Sequence, residues 1–281
     1  MEPKLDLTTI RDEVFRKIGR NLLNFQKIEH MLKYLITNGR MSGYMSELVE
    51  NQERRSVSIH KHTMGQLVGQ FMDNTYQGLE ESDQTPVEVK EPYISFSFMI
   101  ETNSDFYESK RQALKALVDD RNDLIHHRSP RFTLDSIESC LEVEQYLDQQ
   151  REKLIPEYEH LQSVIERFEE SRKLTADFLN SDEGKKQFNL SFLQQSQLSA
   201  YLFDFYKENS RSDGWVMLSS AASFIRQHVP KELTDLEKRH GHKKLKSFML
   251  ATEIFDISEE LTDKGGTRVL YRIKPELKKH T

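Results

Sequence analysis

The chain has 281 residues, room for two domains of ordinary size, and its 16 Phe and 10 Tyr supply enough aromatic mass for packed cores. That excludes wholesale disorder, although 31% of the residues are charged. No stretch approaches the roughly 18 consecutive apolar residues of a spanning helix, and the lone Cys140 excludes an internal disulfide or a zinc site built on several cysteines.

In chain order, the opening MEPKLDLTTIRDE has no basic segment followed by an apolar run, so no secretory signal is expected and the protein reads as soluble and cytoplasmic, with no membrane partner. From Leu22, Phe25, Ile28, Leu32 and Leu35 recur at steps of three and four, one stripe of a helix. Met64, Leu67, Val68 and Phe71 predict a second helix over 63–76. Residues 77–92 are polar and turn-rich, and YISFSFMI after them alternates aromatics with Ser, the pattern of a short strand or packed extended segment. Helical spacing resumes at Phe106 and runs to about His127, where Ser129-Pro130 stops it. Residues 134–180 read as one long helix or two, with Pro156 at a first turn or a kink. Four or five such helices with short links fit an antiparallel bundle over residues 1–180.

LNSDEGKKQF is polar and carries a glycine, which predicts a linker over 181–190 and a second domain over 191–281. There SFLQQSQLSAYLFDFYKE is helical, and Trp215–Leu218 is a short apolar run after a Ser-Asp-Gly turn. SSAASFIRQHV reads as a short helix opened by Ser caps, and LTDLEKRHGHKKLKSFMLA as a basic-to-apolar helical stretch. FDISEE and TRVLYRI alternate around a Gly-Gly turn, a β-hairpin. Helix, short strand, helix, helix, hairpin is the order of a winged helix. The predicted fold class is therefore mainly α, an antiparallel helical bundle followed by a small winged-helix-like α+β domain.

The net charge of −6 conceals a split: residues 185–281 hold 17 Lys and Arg against 12 Asp and Glu (+5), and the rest hold 23 against 34 (−11). The C-terminal part is the polyanion-binding candidate.

The segment most informative about chemistry is ALKALVDDRNDLIHHRSP, residues 113–130. Leu114, Leu117, Val118, Leu124 and Ile125 define an apolar face, and Arg121 stands in the middle of that stripe. A guanidinium cannot shed its charge, so Arg121 needs a carboxylate on a neighbouring helix, a stem that reaches water, a second subunit, or a cleft open to an anion. His126 and His127 follow in the last turn, where the helix dipole favours imidazolium. Five residues separate Arg121 from His126, roughly 140° around an α-helix, so two copies packed about a two-fold axis would converge them better than one.

Arg121-Asn122-Asp123-Leu124-Ile125-His126 resembles the R-x4-6-H motif of the HEPN superfamily, including the polar residue after the Arg. FQKIEHMLKYLI upstream is similar to an early helix of that fold. The resemblance implies a metal-independent endoribonuclease with no cofactor, acting as a homodimer through the bundle. Its catalytic residues would be Arg121, Asn122 and His126, with His127 also satisfying the spacing. The His would serve as acid or base at the 2′-hydroxyl or the leaving 5′-oxygen, Arg121 would stabilise the transition-state phosphate, and Asn122 would orient phosphate or His. A toxin subgroup carries a Tyr shortly after the His; here Arg128 and Ser129 stand in that place.

Residues 212–274, through DGWVMLSSAASFIRQHVP, RHGHKKLKSFMLA and the hairpin to YRI, are similar to the OST-HTH domain, also called LOTUS. That resemblance implies a winged-helix-like RNA-binding module. Lys238, Arg239, His240, His242, Lys243, Lys244 and Lys246 crowd one short segment as candidate phosphate contacts, and Gly241 among them marks a turn. Together the two resemblances imply an endoribonuclease with a C-terminal RNA-binding domain, in a defence, toxin-like or RNA-processing role, with an antitoxin or regulatory protein as a further partner. The alternative is a non-catalytic dimeric RNA-binding adaptor. Elsewhere, His60-Lys-His62 lacks a third ligand for a metal, and Glu29 and Glu138 are acids that could support the motif Arg.

Overall fold

The computed structural model describes residues 6–77, 93–262 and 265–276. Of these, 6–77 and 94–173 make one compact unit and the described residues from 174 onward another. Both are mainly helical, with small antiparallel sheets.

In the first unit, α1 (Leu7–Asn38) leads through β1 (Arg40–Tyr44) to α2 (Leu48–His60) and α3 (Met64–Met72). Thr63 accepts from the Gln66 backbone while the Gln66 side chain accepts from Thr63 N–H, a reciprocal cap that fixes where α3 starts. After β2 (Tyr93–Ser97), which pairs with β1, come α4 (Ser104–Asn122) and α5, a single helix over Ile137–Asn180 with Pro156 inside it, whose residues from 174 on belong to the second unit. The YISFSFMI segment is thus a strand over its first part. β1 and α2 were not foreseen: only Ile59 of α2 is buried, so α2 carries no apolar stripe to read.

The stripe Phe25, Ile28, Leu32 and Leu35 packs with Leu67 and Phe71 of α3, Leu114 and Leu117 of α4, and Leu147, Leu154, Leu161 and Phe168 of α5. The four α5 residues recur every seven positions and are completely buried, the spacing of a helix that keeps one seam toward its neighbours.

In the second unit, residues 181–190 are not a linker. Ser181 accepts from Gly184 N–H and caps α6 (Asp182–Gln195), whose first turn carries Asp182 and Glu183. The same Ser-Asp-Glu-Gly polarity that suggested a loop is an N-terminal helix signal. Next are α7 (Gln197–Asn209), β3 (Val216–Met217) and α8 (Leu218–His228). The Ser caps expected for α8 are absent: β3 runs straight into the helix, so Met217 takes the cap position without a side-chain bond.

The basic-to-apolar stretch is three short helices, α9 (Pro230–Thr234), α10 (Leu236–His240) and α11 (Leu245–Ala251). Gly241, at φ +72°, breaks the last two apart in the left-handed conformation that favours glycine. The hairpin is as the alternation predicted: β4 (Phe255–Leu261) pairs antiparallel with β5 (Thr267–Ile273), from Phe255 opposite Ile273 to Leu261 opposite Thr267. β5 also pairs with β3, giving the order β3-β5-β4. Tyr271, completely buried, donates its hydroxyl to the Leu202 carbonyl of α7 at 3.0 Å, tying sheet to helix.

Candidate functional site

Burying Leu114, Leu117 and Leu124 leaves Arg121 half-buried at the edge of the apolar face of α4. Its guanidinium donates to Asn122 Oδ1 at 3.0 Å, and among the described residues it forms no ion pair. Among the described residues no carboxylate on a neighbouring helix pairs with it. Glu29 pairs with Lys33 at 2.7 Å, and Glu138 is exposed.

Beyond Asn122 the helix does not simply end. Residues Asp123–Arg128 form a π-helical turn, and Ser129 N–H donates to the Leu124 carbonyl, five residues back. Hydrogen bonds of that span widen the turn, so residues five apart within it approach one face more closely than in an α-helix; Arg121 stands just before this turn and His126 within it. Nothing in the sequence reveals this winding. His126 and His127 both project into solvent, their rings 6.5 Å apart edge to face. Among the described residues neither imidazole has a hydrogen-bond partner.

The π turn is held from α5. Asp123 pairs with Arg128 at 2.7 Å and accepts from the Tyr146 hydroxyl at 3.2 Å, while the Arg128 guanidinium lies 4.4 Å from the centre of the Tyr146 ring. Burial first, and then the Asp123 carboxylate, push the Tyr146 phenol up to about 12, so it remains a donor at physiological pH.

Deeper in, Gln150 donates to the Asp120 carbonyl at 3.0 Å and to the Tyr146 hydroxyl at 3.3 Å. Asn21 of α1 donates to Gln150 Oε1 at 3.1 Å and to the Leu147 carbonyl at 2.8 Å. Two buried amides thus link α1, α5 and the end of α4. Sequence reasoning passed over both, although each falls on its helix's apolar stripe, Asn21 four before Phe25 and Gln150 three after Leu147. A polar residue at a core position has to find partners, and that was the available signal.

The basic segment of the second unit divides. Arg239 and His240 turn inward onto the buried Glu232, His240 Nε2 lying 3.2 Å from its carboxylate. Lys246 pairs with Glu259 at 2.6 Å, and Lys243 stands 3.6 Å from Glu237. Lys238 and Lys244 are exposed and form no ion pair among the described residues. His242 meets the edge of Phe248, with ring centres 6.1 Å apart. Of the seven residues expected to contact phosphate, Lys238 and Lys244 are thus the ones most available to an anion; Arg239 and His240 are committed first to Glu232, seven and eight residues upstream, a partner that local charge density does not disclose.

Among the described residues no group of three or more His, Cys, Asp or Glu side chains is arranged to hold a metal, and His60 and His62 each bond a carbonyl of α2. No described helix is long and apolar enough to cross a membrane. Compared with protein-family models, with curated proteins and with solved structures, the chain matches none.

Proposed function

We propose that the protein is a metal-independent endoribonuclease of the HEPN type, with a winged-helix-like C-terminal domain that captures RNA. The observation that carries this reading is Arg121: a half-buried, permanently charged group with no counter-carboxylate among the described residues, one turn before two solvent-facing histidines. An unbalanced guanidinium at a surface suits an anion such as a phosphodiester. In the proposed reaction His126 removes the proton of a ribose 2′-hydroxyl, whose oxygen attacks the adjacent phosphorus. Arg121 stabilises the charge that develops on the phosphoryl oxygens, and Asn122, already bonded to it, holds the guanidinium in place. The 5′-oxygen leaves and takes up a proton, giving a 2′,3′-cyclic phosphate and a 5′-hydroxyl.

Among the described residues His126 has no orienting partner, so a second protomer would supply one, or supply the acid that protonates the leaving oxygen. The same lack of a partner favours the second reading, a dimeric RNA-binding adaptor without catalysis. Cleavage by the wild type that disappears in both Arg121→Ala and His126→Ala, with circular dichroism and sedimentation unchanged, supports the nuclease. Wild-type rates in both folded variants would remove the site.

A further inference from the structure

In the second unit a cleft of about 350 Å³ opens between α6 and the turn that joins α10 to α11. One wall is Asn189 and Phe192 of α6; the other is Arg239, His240, Gly241 and His242. The His240 side chain is only 4% exposed, and its ring stands 5.8 Å from that of Phe192. Its Nε2 is engaged by Glu232, but its Nδ1 is buried with no hydrogen-bond partner among the described residues. A buried ring nitrogen without a partner is costly, and with both its nitrogens closed to the cleft His240 contributes its ring to the wall. Glu232 also takes up the positive charge of Arg239, so the floor of the cleft is close to neutral, whereas Lys238 and Lys244 leave the flanking surface basic. A phosphate would favour the reverse arrangement. An aromatic ring, polar groups in a near-neutral recess and a cationic surround match a flat heterocycle attached to a phosphodiester chain.

We infer that this cleft takes one unstacked nucleobase of single-stranded RNA, laid against Phe192 and bonded at its polar edge by Asn189 and His242, with Lys238 and Lys244 on the flanking phosphates. Splayed bases stacked on aromatic side chains are the usual means by which proteins read single strands. The inference rests on the proposal that this domain binds RNA and adds where the base goes.

The test is fluorescence anisotropy of the full chain with a labelled single-stranded 12-mer, titrated at several salt concentrations. Phe192→Leu should weaken binding about tenfold while leaving the slope of affinity against salt unchanged, because a stacking contact releases no counterions. Lys238→Ala with Lys244→Ala should lower that slope. Asn189→Ala, an exposed position, guards against a folding defect in the Phe192 variant and should weaken binding in the same salt-independent way. Wild-type affinity in both Phe192→Leu and Asn189→Ala would overturn the base site and leave RNA binding standing; a wild type that does not bind the 12-mer would overturn both.

Discussion

The Tyr146 hydroxyl donates to the Asp123 carboxylate at 3.2 Å and so joins the N-terminal part of α5 to the π-wound turn that carries His126 and His127. Tyr146→Phe removes this donor without leaving Asp123 unpaired, because Arg128 remains on the same oxygen. The expected loss is about 1 kcal/mol of stability, measured by denaturant unfolding. RNA cleavage should fall by more than the small unfolded fraction explains, since the turn holding the histidines is loosened.

A pH dependence follows from His160. Its Nε2 is hydrogen-bonded with the Tyr76 hydroxyl at 2.8 Å, with Phe106 and Lys110 of α4 and Glu157 and Arg167 of α5 around it. Burial, then Lys110 and Arg167, lower its pKa from 6.5 to about 4. The unfolded chain therefore binds a proton that the folded chain refuses between those values, and stability declines as pH falls from 6.5 toward 4. His160→Gln, which keeps an acceptor for Tyr76, should flatten that part of the stability profile; an unchanged slope would show that other groups set it.

Two glycines should respond oppositely to alanine. A Cβ on Gly184 would collide with the Phe178 carbonyl where α5 turns into α6, so Gly184→Ala should destabilise the second unit. Gly19, inside α1 with open space around it, should gain up to about 1 kcal/mol from alanine's better helix propensity. Thermal unfolding of the two variants checks the pair.

What the sequence disclosed depended on whether the signal was local and periodic. The apolar stripe from Phe25 to Leu35, the Arg121 position and the hairpin could be read because each repeats at a helical or strand period. Residues 181–190 read as a linker from sequence because a polar Ser-Asp-Glu-Gly run serves equally as loop or helix cap, and only packing chooses. The π winding after Asn122 depends on which carbonyl each N–H selects, and the inward turn of Arg239 and His240 depends on Glu232. Neither is a property of the residues that display it.

The proposed RNA cleavage is tested most directly by incubating end-labelled tRNA and a structured RNA with the purified protein in excess EDTA, with His126→Ala prepared identically. The expected result is cleavage by the wild type that leaves 2′,3′-cyclic phosphate and 5′-hydroxyl ends and is absent from the variant. A clear gel shift without cleavage, or EDTA-resistant cutting that persists in a folded His126→Ala protein, would contradict it.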